Sequence, residues 1–168
     1  MIFDISILIG SAGISYYLIH WYKKRKKIPS LRNVLGILEK IKENTFLPDN
    51  VSESEVENLL AHKLLHFFEE VHTQYYLGGI KGAKDRIDID IAHGKLGIEI
   101  KLAAQLKKSN ERNRLLGQMD LYKERKYNLN NLLVIIVGSK KHQKQEVISE
   151  LIKILTEKGV YCYYWSTE

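Results

Sequence analysis

The stretch DRIDIDIAHGKLGIEIKL, Asp85–Leu102, decides how this chain is read. Two runs alternate with period two on either side of His93-Gly94-Lys95. In the first, Ile87, Ile89 and Ile91 alternate with Asp88 and Asp90. In the second, Ile98, Ile100 and Leu102 alternate with Glu99 and Lys101. Successive side chains of a strand point to opposite faces, so Asp88 shares a face with Asp90, and Glu99 with Lys101. The short HGK turn makes the pair a hairpin. Three acids and a lysine on two adjacent strands admit two readings. One is an antiparallel hairpin with a solvated, charged face. The other is a site where carboxylates converge.

The neighbouring segments place the hairpin in a fold. Before it, SESEVENLLAHKLLHFFEEV carries apolar residues at helical spacing, with Ser52 or Ser54 as a cap and Glu three residues on. TQYYL is short and rich in β-formers, and Gly78-Gly79 ends it. After the hairpin, NERNRLLGQMDLYKERK reads as a helix. NLLVIIVG is a continuous apolar run, as expected of a strand covered on both faces. KQEVISELIKILTEK is an amphipathic helix stopped by Gly159, and VYCYYW is a last strand. The order α-β-β-β-α-β-α-β predicts an α/β fold, with a mixed central sheet flanked by helices.

Residues 1–27 form a separate unit. ISILIGSAGISYYLIHWY runs 18 residues without a formal charge and meets KKRKK at 23–27. At 1.5 Å rise per residue that length just reaches across a hydrocarbon core of ~30 Å. Tyr16, Tyr17, Trp21 and Tyr22 lie towards the basic end, where amphipathic rings favour the headgroup level. A signal peptide places its positive charge before the apolar run, whereas here it follows. Residues 1–22 are therefore expected to be a transmembrane helix contacting the membrane, with the C-terminal domain cytoplasmic. Residues 28–50 read as a linker around a short helix, and 51–168 as one compact domain.

Charge says less than the total suggests. The net charge is +6, from 26 basic and 20 acidic side chains. KKRKK and Asp4 account for +4 of it, leaving 21 basic against 19 acidic side chains in residues 28–168. Only local clustering can argue for a polyanionic partner. Cys162 is the one cysteine, so an intrachain disulfide and a multi-cysteine metal site are excluded. It is expected to be a buried, inert thiol.

If the hairpin carries chemistry, phosphodiester hydrolysis is what two carboxylates and a lysine suit. Hard divalent cations such as Mg²⁺, or Mn²⁺, take oxygen ligands. A bound cation polarises the phosphate and acidifies an attacking water. A lysine beside it orients that water or offsets charge on phosphorus.

An Asp on one strand and Glu-x-Lys (Glu99 to Lys101) on the next, with a helix before and after, resembles the PD-(D/E)xK restriction-endonuclease-like nuclease superfamily. The predicted αβββαβ order is similar to that superfamily's core. GQMDLY adds Gln118 and Tyr122 as Gln-x-x-x-Tyr, which resembles the RecB-type branch. The likeness covers about residues 53–138. It implies that Asp88 and Glu99 hold metal together with the carbonyl of Ile100, and that Lys101 is the catalytic lysine. It also implies that Gln118 and Tyr122 line the site. Asp88 follows Arg86-Ile87 rather than a proline, and Asp90 stands as the alternative first acid.

Many relatives add a Glu from the first helix. At 100° per residue Glu57 falls among Leu60, Ala61, Leu64, Phe68 and Val71, so it points with the apolar stripe towards the sheet. Glu53 is on the same stripe but at or before the first turn, and Glu55 points the other way with His62 and His66. A carboxylate on a core-facing stripe is costly unless paired or metal-bound, so Glu57 is expected to assist as a ligand. The alternative is a carboxylate favoured by the helix dipole. His62 and His66, at i and i+4, are expected to be solvated. Lys107, Lys108, Arg112, Arg114, Lys123, Arg125 and Lys126 cluster around the Gln-x-x-x-Tyr helix, a pattern that suits phosphate contacts or a plain solvated surface. YYLGGIKGAKD lacks the P-loop spacing and is read as a connection beside the site.

The expectation is a membrane-anchored, Mg²⁺-dependent nuclease with little sequence specificity, acting on DNA ahead of RNA and leaving room for a homodimer. Two other classes stay open: a catalytically silent nucleic-acid- or protein-binding module of the same fold, and a scaffold whose membrane span is the functional part.

Overall fold

The structure is a computed structural model that describes residues 29–78, 85–127 and 130–167. The expected membrane helix at 1–22 and most of the glycine-rich connection lie outside the described residues. Among those described, no helix is long and apolar enough to cross a membrane.

The elements run α1 (Leu31–Glu43), α2 (Glu53–Leu64), β1 (Val71–Tyr76), β2 (Arg86–Ile91) and β3 (Leu96–Leu102). A 3₁₀ turn (Gln105–Lys107) and α3 (Ser109–Arg125) follow, then β4 (Leu132–Gly138), α4 (Lys140–Gln143), α5 (Glu146–Glu157) and β5 (Tyr161–Ser166). The five strands form one mixed sheet in chain order. β1, β2 and β3 pair antiparallel, and β3, β4 and β5 pair parallel. The predicted α/β fold with helices on a mixed sheet is what the chain adopts.

Each face of the sheet has its own apolar layer. On one, α1 and α2 cover Ile89, Ile91, Ile98, Ile100, Leu133, Ile135 and Val137. On the other, α3 and α5 cover Val134, Ile136 and Ile87. Six of the seven residues of β4 are buried, which accounts for its unbroken apolar run. The segment read as a linker behaves differently from that expectation. Val34, Ile37, Leu38 and Ile41 of α1 recur at helical spacing and are buried in the first layer. Residues from 31 on thus belong to the core.

Two local features set the phase of the site. Ser52 caps α2: its hydroxyl accepts from Glu55 N, and Glu55 Oε2 accepts from Ser52 N at 2.7 Å. This reciprocal box satisfies two end donors and lowers the Glu55 pKa, the Ser52 hydroxyl being the main cause. It starts the helix so that Glu53 and Glu57, one turn apart, face the sheet. In the β2–β3 turn, Ala92, His93 and Gly94 all take left-handed backbone (φ 53°, 52° and 95°). Gly94 takes its left-handed φ without the strain a side chain would add, and a Cβ there would make the Lys126 side chain give way.

Candidate active site

Alternation fails in β2, and the failure makes the site. Ile89 and Ile91 lie in the first apolar layer, as expected, but Ile87 lies in the second. The strand therefore turns over at Asp88. Opposite it on β1, Gln74 adopts φ +49°, and the β1–β2 ladder runs through Thr73↔Ile89 and Tyr75↔Ile87 without a Gln74–Asp88 pair. The β2–β3 ladder extends from Ile91↔Leu96 only to Ile89↔Ile98. Beyond it the Ile100 N–H donates to Asp88 Oδ2 at 2.7 Å. The carboxylate has taken the place of a strand partner, which fixes it beside the Glu99-Ile100-Lys101 backbone.

Asp88 and Asp90 thus do not share surroundings, contrary to the simple alternation. Asp90 is fully buried, accepts from Tyr127 OH at 2.6 Å and lies 3.9 Å from Lys126 Nζ. Lys126 in turn sits 3.7 Å from the centre of the Tyr75 ring. Gly97 opens this corner, since a Cβ there would lie 2.5 Å from Ile87 and 2.8 Å from Tyr127. Asp90 thus lies beside the turn with Tyr127 and Lys126, its other oxygen buried without a hydrogen-bond partner, while Asp88 lies beside Glu99 and Lys101.

Glu99 and Lys101 share a face, as their spacing predicts, and both are buried. Lys101 Nζ donates to Glu99 Oε1 at 2.6 Å and to the Ile100 carbonyl at 3.0 Å. It also lies 3.8 Å from Glu53 Oε2, and Glu53 Oε1 accepts from Leu102 N at 3.1 Å. Glu57, buried as its place on the stripe requires, accepts from Gln74 Nε2 at 2.7 Å. The same amide nitrogen is 3.3 Å from Asp88 Oδ1. From α3, Tyr122 OH lies 2.6 Å from the Arg86 carbonyl and 3.1 Å from Glu99 Oε2, and Gln118 Nε2 donates to Tyr122 OH at 3.3 Å. Gln118 Oε1 is buried without a hydrogen-bond partner. Asp88, Glu99, Lys101, Glu57, Gln118 and Tyr122, each named from sequence, are thus brought together. Two further residues join them. Glu53 was visible on the stripe, at the helix start. Gln74 had no signal in the sequence.

Four carboxylates (Glu53, Glu57, Asp88 and Glu99) here face one ammonium. Burial, and then the Asp88 charge, push the Glu99 carboxyl up to about 7 against the opposing pull of Lys101. Burial acts on Lys101 in the other direction, but Glu99, Asp88 and Glu53 outweigh it and hold the ammonium above its ordinary range. Burial raises Glu57, and the Gln74 hydrogen bond opposes that. Tyr122 is raised as well, first by burial and then by Glu99. Its single phenol proton cannot serve both Arg86 and Glu99 at once. It serves either the Arg86 carbonyl or the Glu99 carboxylate, both of which lie within its reach.

No three His, Cys, Asp or Glu among the described residues are grouped to hold a metal ion as they stand. What is present is a set of hard oxygens from Asp88, Glu99 and the Ile100 carbonyl, with an ammonium already spanning two of them.

Most of the basic cluster on α3 is engaged within the protein. Arg112 donates to the Leu106 and Lys107 carbonyls, Arg114 pairs with Glu111, and Lys123 donates to the Lys158 carbonyl. Arg125 pairs with Asp85 and the Gly78 carbonyl. Lys107 and Lys108 are exposed. His62 on α2 and His66 in the turn after it are exposed, and their rings meet edge to face, 5.4 Å apart. Cys162 is half-buried, and burial pushes its thiol up to about 12, which keeps it unreactive at neutral pH.

No protein-family model, no curated protein and no solved structure matches the chain.

Proposed function

We propose that this chain is a metal-dependent phosphodiester hydrolase of the PD-(D/E)xK type, acting on DNA ahead of RNA and tethered to a membrane through residues 1–22. The observation that carries the reading is the bond between Asp88 and the Ile100 N–H, which ties the first acid to the backbone that bears Glu99 and Lys101.

The donor chemistry fits a hard divalent cation, Mg²⁺ or Mn²⁺. The candidate ligands are all oxygens, from Asp88, Glu99 and the Ile100 carbonyl, and the surrounding carboxylates exceed the positive charge of Lys101. When bound, such an ion polarises the phosphate and acidifies water. Each protein group has its own task. Lys101 keeps its proton, so it acts as a fixed positive charge against the phosphate oxygens rather than as a base. Tyr122, held by Gln118, orients Glu99. Gln74 bridges Asp88 and Glu57 and keeps these like charges in place. Glu53 positions Lys101 from the start of α2.

The test is incubation of the full chain with linear DNA, circular DNA and RNA, in Mg²⁺, in Mn²⁺ and in chelator. Cleavage that needs the ion supports the reading. Oligonucleotide binding with no cleavage under any ion would identify a silent binding module instead. Reconstitution into vesicles, with flotation of the full chain but not of a chain lacking residues 1–27, tests the tether.

A further inference from the structure

A cavity of about 310 Å³ opens beyond the carboxyl ends of the three parallel strands. Leu102 ends β3, Val137 and Gly138 end β4, and Thr167 follows β5. Open α/β sheets place ligands at this edge because the strand ends and the loops after them leave a crevice. The volume is at the small end for ligand pockets, which suits one nucleotide unit and not a base pair.

The pocket adjoins the candidate active site. Leu102 is the residue after Lys101. The Glu53 carboxylate accepts from Leu102 N at 3.1 Å with one oxygen and lies 3.8 Å from Lys101 Nζ with the other. Glu53 thus touches both Lys101 and the backbone of Leu102, a residue of the pocket wall. The floor is apolar, from Val51, Leu102 and Val137, and the rim carries Lys141 and His142. Ser139 Oγ, 3.3 Å from His142 Nδ1, holds that ring. The one aspartate in the lining, Asp49, accepts from Thr167 Oγ1 at 2.7 Å. The rim thus carries one ammonium, Lys141, and one carboxylate, Asp49, whose charge the Thr167 hydroxyl stabilises without cancelling.

We infer that this cavity binds one nucleotide of the substrate strand next to the phosphate being cut. Its base lies against Val51, Leu102 and Val137, and its phosphate lies at Lys141. The assignment rests on the hydrolase reading and makes the strand-end crevice, rather than the basic face of α3, the place where the substrate is held.

The test measures equilibrium binding of a fluorescent 12-nucleotide single DNA strand to the full chain in chelator, together with cleavage of the same strand in Mg²⁺. Ala104, exposed in the lining, is replaced in Ala104→Trp to fill the pocket, and Lys141→Glu reverses the rim charge. Lys153→Glu, on the exposed side of α5, controls for net charge. Thermal melting establishes that each variant is folded. The expected result is about tenfold weaker binding for Ala104→Trp and for Lys141→Glu, and no change for Lys153→Glu. Wild-type cleavage in Mg²⁺, with all three variants binding within twofold of wild type, overturns the pocket while leaving the hydrolase reading standing. Absence of wild-type cleavage, with binding still dependent on Ala104 and Lys141, overturns the hydrolase reading and leaves a nucleotide pocket.

Discussion

Asp88 Oδ2 accepts the Ile100 N–H at 2.7 Å, so a side chain on β2 completes the hydrogen bonding of β3 where the backbone ladder has stopped. That one bond brings the first acid to the segment that carries Glu99 and Lys101. It also makes the two aspartates of RIDID chemically different.

Asp90→Asn therefore acts on stability. It removes the buried charge that accepts from Tyr127 and faces Lys126, and should destabilise the protein by about 2 kcal/mol, since hydrogen bonds to charged groups contribute roughly 1.5–3 kcal/mol. Asp88 is only half-buried, and Asp88→Asn should change stability by less than about 1 kcal/mol. Urea unfolding of both variants checks the contrast. Equal losses would mean that the two acids are structural equivalents after all.

Gln74 holds two carboxylates with one amide. Gln74→Ala should leave Glu57 and Asp88 facing each other and lower metal-free stability by about 1 kcal/mol. Mg²⁺ should restore more stability to this variant than to wild type, because the ion offsets the like charges that the Gln74 amide no longer bridges. Thermal melting across a Mg²⁺ titration reads this directly, and parallel curves for the two proteins would contradict it.

The Glu99 carboxyl is pushed from its ordinary 4.5 up to about 7, by burial and then by Asp88. A group that binds its proton more tightly when folded favours the folded state at low pH. Its contribution is complete below 4.5 and is lost as pH rises through 7, a difference of about 3 kcal/mol. In chelator the melting temperature should thus fall by roughly 6–12 °C between pH 5 and pH 8. Glu99→Gln should flatten that slope. A wild-type melting temperature that rises over this range would refute the assignment.

Tyr122→Phe removes the hydroxyl that meets Glu99, Arg86 and Gln118 while keeping the buried ring. The expected cost is about 1–2 kcal/mol in stability from the unpaired Arg86 carbonyl. Cleavage should slow by about tenfold as Glu99 loses its orienting partner. Unfolding and rate measurements on one preparation separate the two effects.

Much of this arrangement could be read from the chain itself. Period-two alternation put Glu99 and Lys101 together, and helical phase turned Glu57 towards the sheet; both are periodic properties that survive in the fold. Asp88 and Asp90 were placed on one face because alternation assumes an undistorted strand. The break comes from the left-handed Gln74 opposite Asp88, and a glutamine carries no marker for that conformation. Gln74 itself was invisible for the same reason. The burial of α1 was legible in Val34, Ile37, Leu38 and Ile41, but Pro29 and the LPDN break drew attention to the boundaries instead.

The central claim is that Asp88, Glu99 and Lys101 form one hydrolytic site to which Asp90 does not belong. The direct test is the Mg²⁺-dependent cleavage rate of DNA by the full chain and by Asp88→Asn, Glu99→Gln, Lys101→Ala and Asp90→Asn, each verified as folded at the assay temperature. The account predicts losses of about 10²-fold or more for the first three, the scale of removing a transition-state electrostatic contact, and a rate within a few fold of wild type for Asp90→Asn. Wild-type rates in Glu99→Gln and Lys101→Ala, or a loss confined to Asp90→Asn, would contradict it.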